Sequence, residues 1–282
     1  MTVDADILMI THNRAEYTQK ALTRLLETCP PCSRVWVWQN GLDEQTRAVV
    51  RSLDSHPRLF TVFYSDENKM LREPTNWFWR SAKGSFLGKV DDDCLVPEGW
   101  LETMSRIHRE EPRAGVLSCW PFLLEDYRED IASKKVARVT GGHELMLNCW
   151  TGGSGYLMKR RAVEDIGLLK PADSFGRWCI RLARRGLING YPLPLLLMDH
   201  MDDPLSPNTR IRSESDFQKY ISLSSRVFGT ASYEQFCRRA REAALEIQTA
   251  HPAPWRYGGL GGVTVRLLKK VIGTSRRARF HP

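Results

Sequence analysis

Short apolar runs alternate with amphipathic stretches along the first hundred residues. The runs that predict buried strands are 5–10, 34–38, 60–64 and 86–90, and the stretches with helical spacing between them are 15–28, 43–53 and 73–82. We predict that the next helix begins at Pro97, since proline is tolerated in a first helical turn. Strands that alternate with helices indicate right-handed β-α-β units. The pattern therefore predicts an α/β fold with a mostly parallel central sheet flanked by helices.

The second half of the chain has a less regular pattern. Strand-like runs cover 114–120 and 144–150, a glycine-rich loop covers 151–155, and helical patterns cover 174–185, 213–228 and 233–249. An apolar run over 193–198 ends in Asp199 and His200. The helices after this run predict a C-terminal helical extension.

Polar residues follow each of the first four predicted strands, at 11–14, 39–41, 65–66 and 91–93. Ligands of parallel sheets bind at the carboxyl ends of strands. Asp91 and Asp93 point to the same side if strand alternation continues, and Asp92 points to the other. Carboxylate oxygens suit Mn2+ or Mg2+, so Asp91 and Asp93 are the predicted metal site. Lys89 shares their side, where it either reaches a bound phosphate or pairs with Asp91.

Composition and charge limit the class of protein. The chain has 282 residues, of which 42% are hydrophobic and 26% charged, which is typical of a globular protein. It has no apolar run long enough to cross a membrane and no secretory signal at its N-terminus. Seven scattered cysteines argue against a disulfide framework and for a reducing compartment. We therefore expect a cytoplasmic protein.

The positive charge is concentrated at the C-terminus. After Glu246 there are seven basic and no acidic residues, which account for all but one of the net charge of +8. Residues 263–272 place an apolar stripe beside Arg266, Lys269 and Lys270. This basic amphipathic pattern suits either an anionic membrane surface, contacted through residues 263–279, or a helix packed on the rest of the protein.

Several motifs, in order, resemble those of family 2 glycosyltransferases of the GT-A fold over about residues 5–200. They are Ile10–Arg14, Val37–Gly41, Asp66–Asn68, Asn76 with Ala82–Gly84, the Asp91–Asp93 triplet, Thr151–Tyr156 and the segment from Asp173 to Gly186. The family usually has an aspartate that contacts the base where this chain has Gln39 and Asn40. The resemblance implies a Rossmann-like GT-A domain that transfers a sugar from a nucleotide-diphosphate sugar to a glycan or lipid-linked acceptor, as in polysaccharide biosynthesis.

The resemblance also implies roles for individual residues. Asp91, Asp93 and His200 are expected to bind Mn2+ or Mg2+, although a histidine at a strand end is as often only hydrogen-bonded. The residues expected to bind the nucleotide sugar are Thr11, Asn13, Arg14, Asn40, Asn68, Asn76, Lys89, Asp91 and Asp92. Gly153, Ser154 and Tyr156 are expected on the acceptor side.

An inverting transfer needs a base for the proton of the acceptor hydroxyl. In the family this base is an aspartate, but the matching positions here hold Ser174 and Phe175. Asp173 lies one residue away and is the first candidate, although it or Ser174 could equally cap the next helix. Asp202 and Asp203 are the alternatives.

The resemblance divides the chain into four parts. We expect a GT-A catalytic domain over 1–210, with a donor-binding half (1–120) and an acceptor-side half (121–210), then helices over 211–250 and the basic tail over 251–282. If the tail binds lipid, the enzyme is peripheral on the inner face of the cytoplasmic membrane.

Other functions fit the sequence less well. A sugar-phosphate nucleotidyltransferase shares the fold and the acids, but usually has a glycine-rich loop after the first strand, where this chain has Thr11–Arg14 without glycine. A nucleic-acid-binding protein or DNA-directed glycosyltransferase would need a broad basic face, whereas the chain up to Glu246 is nearly neutral. A non-catalytic sugar-binding domain would not need the acidic triplet.

Overall fold

The computed structural model describes residues 4–221 and 229–257. A nine-stranded mixed sheet runs through the molecule in the order β3-β2-β1-β4-β9-β6-β10-β8-β7, and β5 pairs with β11 in a separate two-stranded ribbon. The strands are β1 (Ala5–Thr11), β2 (Ser33–Asn40), β3 (Leu59–Ser65), β4 (Phe86–Asp91), β5 (Cys94–Leu95), β6 (Ala114–Ser118), β7 (Val136–Arg138), β8 (Glu144–Asn148), β9 (Tyr156–Lys159), β10 (Ile188–Leu193) and β11 (Asp199–His200).

Helices cover both faces of the large sheet. They are α1 (Ala15–Thr28), α2 (Glu44–Ser52), α3 (Arg72–Ser81), α4 (Trp100–Glu110), α5 (Glu129–Ala132), α6 (Arg161–Ile166), α7 (Phe175–Arg184), α8 (Glu214–Tyr220) and α9 (Tyr233–Thr249). Asp43 caps α2 through Thr46 N–H, and Ser174 caps α7 through Arg177 N–H. The second of these answers a question that the sequence left open, because Ser174 rather than Asp173 is the cap.

The core has two layers because β1 is buried on both faces. Ile7 and Met9 pack in one layer with α1 and α4, whereas Leu8 and Ile10 pack in the other with α3 and α7. Trp100 and Trp178 are completely buried, one in each layer. This rigid two-sided packing fixes the carboxyl ends of β1, β2 and β4 at one edge of the sheet.

The first four predicted strands are present as β1 to β4, and they pair in parallel with one another. The prediction that a helix begins at Pro97 is wrong, since α4 begins at Trp100. Gly99 precedes it with φ of 70°, a left-handed conformation that cannot continue a helix backwards to Pro97. The sequence also missed β9, which lies antiparallel between β4 and β6.

The β5–β11 ribbon carries a distant segment to the end of β4. His200 pairs with Cys94 in this ribbon, and Met201 N–H donates to Asp93 O over 2.7 Å. The ribbon therefore positions His200, Asp202 and Asp203 beside the acidic triplet.

The predicted basic tail lies mostly outside the described residues, which end at Tyr257. Binding of this tail to an anionic membrane therefore stays a prediction. The predicted helix 213–228 is present as α8, and its part over 222–228 is also outside the described residues. Among the residues that the structure describes, no helix is both long and apolar enough to cross a membrane.

His108 gives the fold a dependence on pH. Its imidazole is completely buried in α4, its Nε2 lies 3.0 Å from Leu157 O, and burial lowers its pKa from 6.5 to about 4. The unfolded chain therefore binds a proton that the folded chain excludes, so stability is retained above pH 6.5 and falls between pH 6.5 and 4. We expect this group to contribute a loss of at most about 3 kcal/mol. Urea unfolding of wild type and His108→Gln at pH 7 and 5 measures it, and equal losses in the two proteins would contradict it.

Candidate active site

The acidic triplet lies at the end of β4, where the chain turns towards β5. Asp91 and Asp93 line a cavity of about 660 Å³, together with His200, Asp202 and Asp203. Asp92 points elsewhere, and its Oδ2 accepts a hydrogen bond of 3.2 Å from His12 N–H. The alternation predicted from the sequence is thus found in the structure, because the first and third carboxylates share the cavity.

Asp93 is the meeting point of this cluster. Its Oδ2 is 2.7 Å from Arg14 Nη1, and its Oδ1 is 3.7 Å from His200 Nε2. The same Arg14 donates through Nη2 to Asp202 Oδ2 over 2.6 Å. One guanidinium, 19% exposed, therefore bridges two carboxylates that are still more deeply buried.

These neighbours determine the protonation of Asp93 and His200. Burial would raise the pKa of Asp93, but His200 and Arg14 outweigh burial and hold it well below its ordinary range. Burial would likewise lower the pKa of His200, but Asp93 raises it to about 9. The protein therefore holds an ionised carboxylate and a protonated imidazole together.

The pKa values of Asp92, Asp202 and Asp203 are raised, whereas that of Asp93 is lowered. Burial raises the pKa of Asp92 to about 8, against the opposing effect of Arg14, and it also raises the pKa values of Asp202 and Asp203. Asp203 Oδ1 accepts a 2.9 Å hydrogen bond from Leu205 N–H. Among the described residues, Asp202 Oδ1 is buried without a hydrogen-bond partner. An orphaned carboxylate oxygen in a polar cavity indicates a site for a further donor or cation.

The cavity contains a donor set that fits a divalent cation. Ligand atoms of Asp93, Cys94 and His200 lie within 4.8 Å of one another. Cys94 fits such a role poorly, because burial raises the pKa of its thiol and its Sγ lies 3.3 Å from Asp93 Oδ1. Asp93 supplies a carboxylate oxygen, the ligand type that suits Mn2+ or Mg2+, with the His200 imidazole beside it. Asp202 adds a second carboxylate to the same cavity.

Lys89 and the glycine-rich loop support the acidic strand from the other side. The Lys89 ammonium pairs with Asp91 and donates to Gly153 O over 3.0 Å. Ser154 Oγ accepts a 2.9 Å hydrogen bond from Asp91 N–H. Gly153 and Ser154 therefore lie beside the acids, and their acceptor-side role stays a prediction. Lys89 forms the ion pair with Asp91 that was one of its two expected roles.

The residues predicted near the nucleoside divide into two groups. Asn13, with φ of 52°, lines a cavity of about 200 Å³ with Arg14, and Thr11 lies buried at the end of β1. Asn40 is instead used by the fold, since its Oδ1 accepts from Lys69 N–H over 2.9 Å and from Trp38 Nε1 over 2.9 Å. Asn68 Oδ1 accepts from Met70 N–H over 2.9 Å, which fixes the same turn.

Three predicted site residues have structural partners instead of cavity positions. Asn76 is buried, and its amide makes two 2.9 Å hydrogen bonds to the backbone of Leu169. Tyr156 is buried with its ring stacked on Phe175 at 4.3 Å. Asp173 pairs with Arg181 over 2.7 Å and accepts from Lys170 N–H over 2.8 Å. These contacts give each residue a structural role, and donor binding by Asn76, acceptor contact by Tyr156 and proton transfer by Asp173 stay predictions.

Sequence reasoning missed the wall that faces the acids. Helix α9 supplies Phe236, Ala240, Glu242 and Glu246 to the lining of the cavity. Phe122, which follows β6, also lines it. The sequence predicts α9 as a helix, but no motif indicates that it lines the cavity. Its position at the carboxyl edge of the sheet depends on the path of the chain after residue 200.

Comparison with known proteins agrees with this architecture. A family model described as "Glycosyl transferase family 2" matches residues 6–167. No curated protein sequence matches the chain. Among solved structures, the mannosyltransferase PcManGT from Pyrobaculum calidifontis in complex with GDP-Man and Mn2+ superposes with a TM-score of 0.60 at 18% identity, over 97% of this chain and 81% of that one.

Two further solved structures share only part of their length with this chain. GalNAc-T7 with UDP, GalNAc and Mn2+ has a TM-score of 0.55 at 11% identity, over 70% of this chain and 44% of that one. TarS 1-349 from S. aureus has a TM-score of 0.50 at 16% identity, over 64% of this chain and 55% of that one. At these identities the likeness establishes the fold.

Proposed function

The chain belongs to glycosyl transferase family 2, and on that premise we propose that it transfers a sugar from a nucleoside-diphosphate sugar to a hydroxyl of a glycan or lipid-linked acceptor, in an inverting, metal-dependent reaction. The observation that carries the proposal is the meeting of Asp93, His200 and Asp202 in one cavity at the carboxyl edge of the sheet. The GDP-Man and Mn2+ bound by PcManGT, and the UDP, GalNAc and Mn2+ bound by GalNAc-T7, support it.

Asp93 and His200 would hold the cation, and Asp91 and Asp202 would complete its oxygen ligands. A bound divalent cation neutralises the negative charge that develops on a departing nucleoside diphosphate. His200 would have to lose its proton to act as a ligand, because only the neutral imidazole has a free lone pair.

Arg14 gives the site a permanent positive charge. It is held by Asp93 and Asp202, and these carboxylates keep its guanidinium protonated. A cation at the same carboxylates would displace this guanidinium towards the small cavity that Asn13 and Arg14 share. There it would lie beside the donor phosphates, which arginine binds in a bidentate manner. Thr11 and Asn13 would then contact the nucleoside.

Asp203 is the best-placed proton acceptor in this scheme. Its carboxylate lines the cavity, and burial raises its pKa, which makes it a stronger base than an exposed aspartate. Asp202 is engaged by Arg14, and Asp173 by Arg181. We propose that Asp203 removes the proton from the acceptor hydroxyl as the hydroxyl oxygen attacks the anomeric carbon, while the bond from that carbon to the diphosphate oxygen breaks and nucleoside diphosphate leaves.

Thermal unfolding with a panel of nucleoside-diphosphate sugars tests the proposal. A ligand that binds only the folded state at 100 times its Kd stabilises the protein by about 2.7 kcal/mol. We expect one nucleotide class to raise the Tm of wild type only with Mn2+, and not to raise that of Asp93→Asn. Asp54→Asn, an exposed change outside the cavity, should behave as wild type. The absence of a shift with every donor, or a shift of equal size without Mn2+, would contradict the proposal.

A further inference from the structure

A second large cavity opens beside the first. It has a volume of about 920 Å³ and lies between the start of α7, the residues just after β8, and the C-terminal end of α9 with the turn that follows it. Ala243 and Glu246 line both this cavity and the one that contains Asp91 and Asp93. The two cavities are therefore neighbours along one face of α9. We call the second cavity the α9 groove.

Two aromatic rings form the apolar part of the α9 groove. Trp150 and Tyr257 meet edge to face with their centroids 4.9 Å apart, and both are half-buried. Tyr257 is held by a 2.9 Å hydrogen bond from its hydroxyl to His251 O. Gly176 brings the backbone of α7 against the indole, since a Cβ there would lie 3.6 Å from Trp150 Cβ. Rigid aromatic rings with polar neighbours favour ligands that have apolar faces and hydroxyl edges, as pyranose rings do.

The charged side chains of the α9 groove favour an anionic ligand. Arg177 and Arg256 line it, both are exposed, and neither forms an ion pair with any residue that the structure describes. Arg177 uses Nη1 to donate to Ala172 O over 3.1 Å, which leaves its other N–H groups directed to solvent or a ligand. The acidic lining residue is Glu246, at the border with the acidic cavity. Two arginine forks suit carboxylate or phosphate groups.

The loop from Trp150 to Ser154 links the α9 groove to the reacting centre. Trp150 lies at its first position, while Gly153 and Ser154 hydrogen-bond to Lys89 and Asp91. The chain between them is only a few residues long. A ligand that packs on Trp150 therefore has its near end within reach of the acidic cavity.

We propose that the α9 groove binds the sugar acceptor, and that this acceptor is an oligosaccharide of pyranose rings with carboxylate or phosphate groups. Its rings pack on Trp150 and Tyr257, its anionic groups pair with Arg177 and Arg256, and its reacting hydroxyl enters the acidic cavity past Ala243. This inference rests on the proposed function and deepens it by naming the class of acceptor.

Calorimetric titration with two tetrasaccharides of equal length tests the inference. Hyaluronan tetrasaccharide is the acidic probe, with its carboxylates, and chitotetraose is the neutral one. We expect wild type to bind the acidic probe at least tenfold more tightly, and this preference to weaken in higher salt. The double variant Arg177→Gln/Arg256→Gln should lose the preference, whereas Arg185→Gln, at the end of the same helix but outside the groove, should keep it. Trp150→Ala should weaken the binding of both probes at least tenfold. Trp150→Phe keeps an aromatic ring and should therefore retain most of the binding.

Donor binding in the same proteins separates this inference from the proposed function. The donor-induced rise in Tm should be the same in wild type and in the groove variants, because Asp91, Asp93 and Asp202 do not line the groove. Equal affinity for the two probes, no binding of either probe, or equal behaviour of the Arg177/Arg256 and Arg185 variants would overturn the inference even where the donor still binds. If no donor raised the Tm of wild type, the proposed function itself would be overturned.

Discussion

Replacement of Asp93 by Asn is expected to lower kcat/KM at least about a thousandfold, which corresponds to about 4 kcal/mol of transition-state stabilisation. Asp93 is the carboxylate that touches both Arg14 and His200, and its low pKa keeps it ionised at neutral pH. The amide keeps the shape of the side chain but removes the charge that attracts a cation. Release of nucleoside diphosphate from the donor, followed in wild type and Asp93→Asn, measures the effect.

Asp92→Asn is the matched comparison, one residue away in the same turn. The Asp92 carboxyl points to His12 N–H, and its pKa of about 8 leaves it mainly protonated at neutral pH. Its replacement should therefore keep kcat/KM within about tenfold of wild type, because a neutral group replaces another of similar shape. Equal losses in the two variants would mean that the triplet acts through its structure rather than through the charge of Asp93.

Replacement of Arg14 by Met is expected to destabilise the protein by about 3 kcal/mol and to increase its affinity for Mn2+ at least tenfold in the absence of donor. The guanidinium bridges the buried carboxylates of Asp93 and Asp202, so its removal leaves Asp202 without its arginine partner and Asp93 with His200 alone. Mn2+ can then bind these carboxylates without displacing a cation of the chain. Urea unfolding with and without Mn2+ measures both effects, because binding to the folded state restores stability.

Arg24→Met provides the control on the same helix. Arg24 pairs with the exposed Glu98 and donates to Val96 O, away from the acidic cavity. Its replacement should cost less than about 1 kcal/mol and leave the effect of Mn2+ as in wild type. If Mn2+ stabilised wild type and Arg14→Met equally, Arg14 would not compete with the cation for Asp93 and Asp202.

The sequence predicted the parallel half of the fold well because its signals are local. Strands β1 to β4 are short apolar runs separated by amphipathic helices, and periodicity is sufficient to place them. It missed β9, whose residues Tyr156–Lys159 form a four-residue strand. Only the insertion of this strand between β4 and β6 makes it part of the sheet. A strand defined by its neighbours has no periodic signal of its own.

The same distinction applies to the site. The positions of Asp91 and Asp93 followed from their spacing at a strand end, and Asp202 and Asp203 from their closeness to His200. The hydrogen bonds of Asn76 could not be predicted from the sequence, since its partner Leu169 is 93 residues away. The ion pair between Arg14 and Asp202 could not be predicted either, because the β5–β11 ribbon brings these two residues together. Residue type and spacing locate a cluster, whereas long-range hydrogen bonds decide which of its members are free to bind a ligand.

Anomalous diffraction from crystals grown with Mn2+ and the nucleoside diphosphate that stabilises the protein tests the central claim most directly. We predict a manganese peak between Asp93 and His200, in contact with phosphate oxygens, and a guanidinium of Arg14 that has moved from Asp93 to the phosphates. A nucleotide bound without manganese, with Arg14 still between Asp93 and Asp202, would contradict a metal-dependent transfer at this cluster.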